Sequence, residues 1–370
     1  MELILFFILC LIWPIRWFIQ LFKSKKTKKN MNKEEPYKLC QKSIKHNIND
    51  QLLWASSLNY TDMWTRDTFF ACMGIENTQP FIDVLAKYQR NDGLIPLYIG
   101  KGNACCKLFC NQRPNGRTKA AYCDAKTGNI PTDSCFQFII LAYNLYPNKC
   151  KKAWYFMQKF VKNDLIYENG LGTWQDTIKH KGHVAYTNIL YYQATKMLFP
   201  KKSNRIKEKL IEKLWNGMFF ECSTTNKSFG QVDNALAILY DVAPTPNTIF
   251  EIHARYFNSV YDSPNKLIRN NQTYPAFQWY EVYLPCYPLG NAKYHNGWAW
   301  TWVQLLFLKA KQKNLKQINI EFYITMIRDY GSIYETFDKN GPIKRLLYNS
   351  QPDFSEACGI FLDLIGKKIV

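Results

Sequence analysis

Apolar residues recur at spacings of three and four along most of this chain, and that periodicity restricts it to a predominantly helical fold. It is clearest over residues 136–145, 152–161, 185–198, 205–215, 235–240, 301–311 and 318–329. Loops carrying Gly, Pro, Asn and Asp separate these segments. Asn91-Asp92-Gly93-Leu94-Ile95-Pro96 and Thr127-Gly128-Asn129-Ile130-Pro131 are examples, each ending one helix and turning the chain toward the next. Runs that alternate apolar and polar residues over strand length are scarce. About ten to twelve helices in about 335 residues is one helix and loop every 28 residues or so, within ordinary lengths. That count suits a ring of helical hairpins, and no internal repeat marks the individual hairpins.

The amino terminus differs in kind. Residues 3–22 are almost wholly apolar and run straight into Lys23, Lys25, Lys26, Lys28 and Lys29. About twenty apolar residues suffice to cross a bilayer. A cleaved signal peptide would carry its positive charge before the apolar run and small residues at its end, and neither is present. Pro14 and Arg16 interrupt the run. An arginine inside the membrane costs about 3 kcal/mol on insertion scales, less where it snorkels to the interface. The expectation is a membrane-anchor helix over residues 1–22 and a basic tether over 23–36, with an interfacial helix or a signal peptide as the alternatives. Lysines on the carboxyl side of a single-pass anchor stay cytoplasmic under the positive-inside rule. Residues 37–370, expected to form one domain, would then lie in the cytosol or on the inner face of an enclosed particle.

The formal charge is +19, of which +13 lies beyond residue 33. Such a balance favours an anionic neighbour: lipid, nucleic acid or an acidic glycan. Lysines dominate and no basic, aromatic nucleic-acid motif occurs, so no nucleic-acid partner is expected. With 11 Trp and 24 Tyr, the chain has ring faces and hydroxyls for sugars beyond those a core absorbs. Of its 12 Cys, 11 lie outside the apolar amino terminus, an odd count that does not suggest a complete disulfide framework. Cys105, Cys106, Cys110 and Cys123 share one basic loop, where free thiols and disulfides both stay open. The adjacent pair and irregular gaps do not match structural zinc spacing. His180-Lys181-Gly182-His183 also lacks the spacing of a helical metal site. No metal and no cofactor is expected.

Four short segments carry the chemistry. Cutting a glycosidic bond takes a protonated carboxyl on the leaving oxygen, a second carboxylate near the anomeric carbon, and aromatic planes with hydrogen-bonding groups to hold the sugar. Trp64-Thr65-Arg66-Asp67 puts a fixed cation beside a carboxylate just before an apolar run, either to grip sugar hydroxyls or to form a helix-start ion pair. Gly172-Thr173-Trp174-Gln175-Asp176 leads through an aromatic residue to a carboxyl, readable as an acid or as a helix cap. In Tyr294-His295-Asn296-Gly297-Trp298-Ala299-Trp300, the histidine is a sugar contact or a structural hydrogen-bonder, and Trp298 and Trp300 are cavity walls or core. Tyr334-Glu335-Thr336-Phe337-Asp338 supplies the second carboxylate, with Glu281 and Glu356 as competitors for that role.

These segments resemble those of the superfamily containing glucoamylases, glycogen-debranching glucosidases and neutral invertases. The run Tyr60-Thr61-Asp62-Met63-Trp64-Thr65-Arg66-Asp67 is similar to the segment that holds the terminal sugar there. Ser332 to Asp338, with Ser350-Gln351-Pro352-Asp353-Phe354-Ser355-Glu356, is similar to the carboxyl-terminal signature. The resemblance spans about residues 50–365 and implies an all-α fold, an (α/α)6 barrel or six-hairpin toroid, and an inverting mechanism. It casts Asp176 as general acid and Glu335 as general base, with Trp64, Arg66, Asp67, Trp174, His295 and Trp298 binding substrate. Many relatives carry Glu where this chain has Asp176. The expected activity is an exo-acting glycoside hydrolase that removes a terminal sugar, glucose by the resemblance, from an oligosaccharide or glycan. A glycan-binding or structural protein of the same fold without turnover, and a related phosphorylase, are the alternatives.

Overall fold

Two classes of helix build the molecule, and their sequences set them apart. The computed structural model describes residues 34–369 except 101–117, 125–126, 258–272, 289, 316–317, 339–340 and 346–347. In the first class are α1 (Pro36–Asn47), α3 (Gln79–Lys87), α5 (Pro147–Met157), α7 (Pro200–Leu214), α9 (Pro246–Phe257) and α11 (Glu321–Tyr330). All but α11 carry Pro in the first turn, where its fixed φ and missing N–H cost nothing. Their buried residues form one stripe: in α7 only Ser203, Ile206, Leu210 and Leu214 are buried.

In the second class are α2 (Thr65–Ala71), α4 (Ser134–Ala142), α6 (Ala185–Leu198), α8 (Gln231–Leu239), α10 (Thr301–Asn314) and α12 (Ser355–Leu364). These are buried on nearly every side. In α12 only Asp363 escapes full burial, and in α8 only Leu239. A helix apolar all round must sit inside the protein. Each packs on the next, α2 on α4, α4 on α6, α6 on α8, α8 on α10, α10 on α12, and α12 back on α2. The first class lies outside this closed ring, α1 on α12, α5 on α4, α7 on α6 and α9 on α8. The architecture is an (α/α) barrel with one core running through the inner ring.

Ribbons of two or three very short strands gather where inner helices begin. Met63–Trp64 runs into α2, Phe229–Gly230 into α8 and Ala299–Trp300 into α10. Their antiparallel registers place Trp64 opposite Tyr98, Phe229 opposite Tyr274 and Trp300 opposite Thr336. Strands of this length contain too few residues to show alternation, which is why the sequence reads as helix and loop. Helix boundaries also shift by a few residues: 136–145 becomes Ser134–Ala142, and 152–161 becomes Pro147–Met157 with Val161 in a strand. The segments read from sequence do not include α3, α9 or α1, although the buried residues Leu39, Cys40, Ser43, Ile44 and Asn47 of α1 recur at spacings of three and four.

Residues 1–22, and the tether as far as residue 33, lie outside the described residues. The last tether residue, Pro36, already opens α1. Among the described residues no helix is long and apolar enough to cross a membrane.

The tightest backbone approach in the ring joins α2 to α12. A Cβ added to Gly359 would lie 2.3 Å from the Ala71 carbonyl oxygen, and one added to Gly74 would lie 2.4 Å from that of Gly359. The obstacle is backbone on both sides and cannot rotate away. Gly359→Ala is expected to lower unfolding stability by about 1–3 kcal/mol, measurable by denaturant titration; an unchanged midpoint would show that the two helices separate to admit a methyl group at no cost. The start of α12 is fixed by Asp353, whose backbone is left-handed at φ 53. Its carboxylate accepts hydrogen bonds from Ser43 at 2.6 Å, and from Ser57 and Ser332 at 2.8 Å each.

Candidate active site

The sequence segments converge on a cavity of about 80 Å³ at the start of the inner helices, lined by Tyr60, Trp64, Arg66, Asp67, Trp174, Asp176, Tyr294, His295, Trp300, Trp302, Glu335, Phe354 and Glu356, with Ala55. Seven of the eight residues picked from sequence are there. The eighth, Trp298, is not among them. It is buried in a small cluster with Ile343 and Tyr348, stacked on Tyr348 with ring centroids 4.9 Å apart. It therefore supports the wall from behind, because its ring packs on the residue that holds Glu335.

Glu335 sits one residue before the strand Thr336–Asp338, with its backbone fixed on both sides: its N–H donates to the Gln351 carbonyl at 2.8 Å, and its carbonyl accepts from the Thr301 N–H at 3.1 Å. The carboxyl is buried, with 1 % of the residue exposed. Tyr294 Oη donates to one oxygen at 2.6 Å and Tyr348 Oη to the other at 2.7 Å. Burial pushes its pKa up to about 7, while the two tyrosine hydroxyls pull the other way by stabilising the anion. Tyr60 hydrogen-bonds the Tyr294 hydroxyl at 3.5 Å, extending the chain from the carboxyl across the cavity wall.

Asp176 lies in a turn, not at a helix start; the next helix, α6, begins at Ala185. The cap alternative for it therefore falls away. Its side chain is 34 % exposed, and Oδ1 lies 3.6 Å from Nδ1 of His295. The His295 Nδ1 also shares a 2.8 Å hydrogen bond with Thr177 Oγ1, and the ring stacks on Trp300 with centroids 4.9 Å apart. This histidine is structurally bonded and it also lines the cavity. Trp174 and Trp302 meet edge to face at 5.0 Å, continuing the aromatic wall.

Arg66 and Asp67 occupy the first turn of α2, but the ion pair of Arg66 runs elsewhere. Its Nε donates to Asp133 Oδ2 at 2.8 Å, just before α4, and Tyr186 Oη donates to the same oxygen at 3.1 Å. Asp133 is fully buried. Burial raises Asp67 to about 7, with Arg66 opposing the rise. Arg66→Ala would thus strand a buried carboxylate, and is expected to cost about 3–5 kcal/mol of stability. A melting curve unchanged by this substitution would show that Asp133 finds another partner.

Of the two competitors for the base, Glu281 lies outside the cavity lining. It accepts hydrogen bonds from Asn226 Nδ2 at 2.8 Å and from the Gln278 N–H at 2.7 Å, and so braces a surface turn. Glu356 does line the cavity. The residues that sequence reading passed over as contributors are Tyr60, Tyr294, Trp302, Tyr348 and Asp133. Tyr60 and Tyr294 stand inside the segments quoted for their neighbours, whereas nothing near Tyr348 or Asp133 in sequence marks their partners. Cys105, Cys106 and Cys110 lie outside the described residues, and Cys123 is a free thiol.

No protein-family model and no curated protein matches the sequence. Solved structures do match. A GH63 mannosylglycerate hydrolase from Thermus thermophilus, in complex with glucose, superposes with a TM-score of 0.59 at 10% identity, covering 89% of this chain and 99% of that one. The chain shares the (α/α)-barrel fold of that structure. A wild-type glycosidase gives a TM-score of 0.58 at 10% identity over 90% of this chain and 96% of that one. A rhamnosidase from Klebsiella oxytoca with rhamnose bound gives 0.56 at 10% identity over 93% of this chain, which spans 66% of the rhamnosidase.

Proposed function

We propose that this (α/α)-barrel protein is a glycoside hydrolase that removes a terminal sugar from a glycan by single displacement. One observation carries the reading: two carboxyls of different character line one aromatic-walled cavity, Asp176 partly exposed and Glu335 buried between two tyrosine hydroxyls. Partial exposure leaves the Asp176 carboxyl reachable by a leaving oxygen, and as the acid it must hold its proton when it acts. A fixed carboxylate with a pKa near neutrality suits removal of a proton from water. Inversion, exo-action and glucose as the sugar follow the resemblance of the motifs. The glucose bound by the mannosylglycerate hydrolase and the rhamnose bound by the rhamnosidase are further support for a neutral sugar.

Charge supports neutrality too. Four carboxyls, Asp67, Asp176, Glu335 and Glu356, line the cavity against a single guanidinium already paired with Asp133. Even with Glu356 and the acid Asp176 protonated, the lining offers, among the described residues, no unpaired guanidinium or ammonium beside Asp67 and Glu335, so a uronate or sulfated sugar would find no ion-pair partner there. Aryl glucosides and their glucuronide counterparts separate the cases: neutral substrates are expected to turn over and the uronides not, and the reverse preference would overturn the reading. Retained turnover only in the presence of phosphate would favour a phosphorylase.

Membrane attachment through residues 1–22, with the barrel on the cytoplasmic side, is part of the same proposal and rests on the apolar run and the lysines that follow it. Removing residues 1–33 is expected to release the protein from membranes with its helical circular dichroism intact. Aggregation of the truncated chain, with the full chain stable in detergent, would place that segment in the core instead.

A further inference from the structure

Glu356 is a buried carboxyl that the proposed chemistry leaves without a task. It stands in the first turn of α12, 2 % exposed, on the lining of the cavity. Its Oε1 is buried with no hydrogen-bond partner among the described residues. An orphaned buried oxygen is costly unless something completes it, and beside a sugar cavity the available complement is a hydroxyl. The α2–α12 contact brings the carboxyl next to the α2 turn that carries Arg66 and Asp67.

Resting on the hydrolase reading, we infer that Glu356 is a positioning residue of the terminal-sugar subsite, which in its neutral, protonated form hydrogen-bonds a hydroxyl of the bound sugar. The charged groups around it favour that form. Burial raises its pKa well above the carboxylate range; Asp67 on α2 adds to the rise, Arg66 opposes it, and Glu335 and Asp133 add smaller contributions of the same sign as Asp67. A protonated carboxyl offers one O–H donor and one acceptor, which matches the pairing a sugar hydroxyl makes. Such a residue differs from a general base, which must be ionised to act.

Replacement separates these roles. Glu356→Gln preserves the shape, a donor and an acceptor, whereas Glu356→Leu preserves volume and removes both; Glu356→Ala serves as a second apolar variant. Binding of a panel of neutral monosaccharides to the full chain can be followed by the fluorescence of Trp64, Trp174, Trp300 and Trp302, which line the cavity, with melting temperatures recorded in parallel. For the sugar the wild type binds, Glu356→Gln is expected to stay within about threefold in Kd, and both apolar variants to weaken binding about 10- to 100-fold. With an aryl glycoside the loss is expected in KM rather than kcat. Equal Kd values for the wild type and the apolar variants would overturn the inference, as would an equal loss in Glu356→Gln and Glu356→Leu, which would mark an ionised acceptor. A collapse of kcat in Glu356→Gln with KM unchanged would mark a base instead. Sugar binding with the expected pattern but no turnover would support Glu356 while removing the hydrolase reading. No binding of any sugar by the wild type would overturn both.

Discussion

Glu335→Gln is expected to lower hydrolysis of every glycoside, activated or natural, by about 10²–10⁴-fold, the range that a positioned proton-transfer group contributes. The amide fits between the Tyr294 and Tyr348 hydroxyls that hold the carboxyl, so the loss should come without unfolding. Two pH signatures accompany it. The base acts only when ionised, and with its folded pKa near 7 the wild-type rate on an activated aryl glycoside, which needs no acid, should rise as pH rises through neutrality. Stability should move in the opposite direction. A folded pKa above the usual carboxylate value means that the folded chain keeps a proton the unfolded chain has released. This group's favourable contribution is then complete at pH 4 and lost as pH rises through about 7. The variant removes that loss and should melt at a higher temperature than the wild type at pH 8. Near-normal turnover in Glu335→Gln, or a wild-type aryl-glycoside rate that falls as pH rises from 5 to 7, would show that another group activates water.

Asp176→Asn is expected to split substrates by leaving group. With a natural glycan, whose leaving oxygen must be protonated, the loss should again reach about 10²–10⁴-fold. With a nitrophenyl or dinitrophenyl glycoside, which leaves without help, most of the activity should remain. The comparison is made within one variant, so it is insensitive to changes in expression or overall stability. An equal loss on both classes would mean that Asp176 binds substrate or shapes the site and does not deliver the proton. The first hydrolysed anomer, read by NMR, tests inversion in the same experiment.

How much of this was legible in the sequence depended on the range over which each signal acts. Helices such as α7 and α11 were readable because a buried stripe repeats within the segment itself. The strands that introduce α2, α8 and α10 were not, because two residues cannot display a period and their pairing comes from distant chain. The site followed the same division. Arg66, Asp67, Trp174, Asp176 and Glu335 sit in dense local motifs and reach one cavity. The partner of Arg66 did not follow from its neighbour Asp67, since it is supplied by Asp133 from the start of another inner helix. Trp298 shares a motif with His295 and Trp300, yet the chain turns between them and leaves its ring behind the wall against Tyr348. Tyr348 reaches Glu335 because the strands Thr336–Asp338 and Gly341–Pro342, which lie between the two residues in the chain, pair antiparallel. The carboxyl-rich lining of the cavity was likewise hidden by the +19 of the whole chain. Bulk charge counts every surface lysine, whereas a ligand meets the few groups that line its pocket.

The central claim is that the cavity hydrolyses glycosides with Glu335 as its base and Asp176 as its acid. It is tested most directly by sugar release from a panel of neutral aryl glycosides and short oligosaccharides, in phosphate-free buffer, with the full chain, Asp176→Asn and Glu335→Gln side by side. The account predicts free reducing sugar from the wild type, retention of aryl but not oligosaccharide cleavage in Asp176→Asn, and loss of both in Glu335→Gln. Release that persists in Glu335→Gln, or no release from any glycoside by a wild-type protein that is folded, would contradict it.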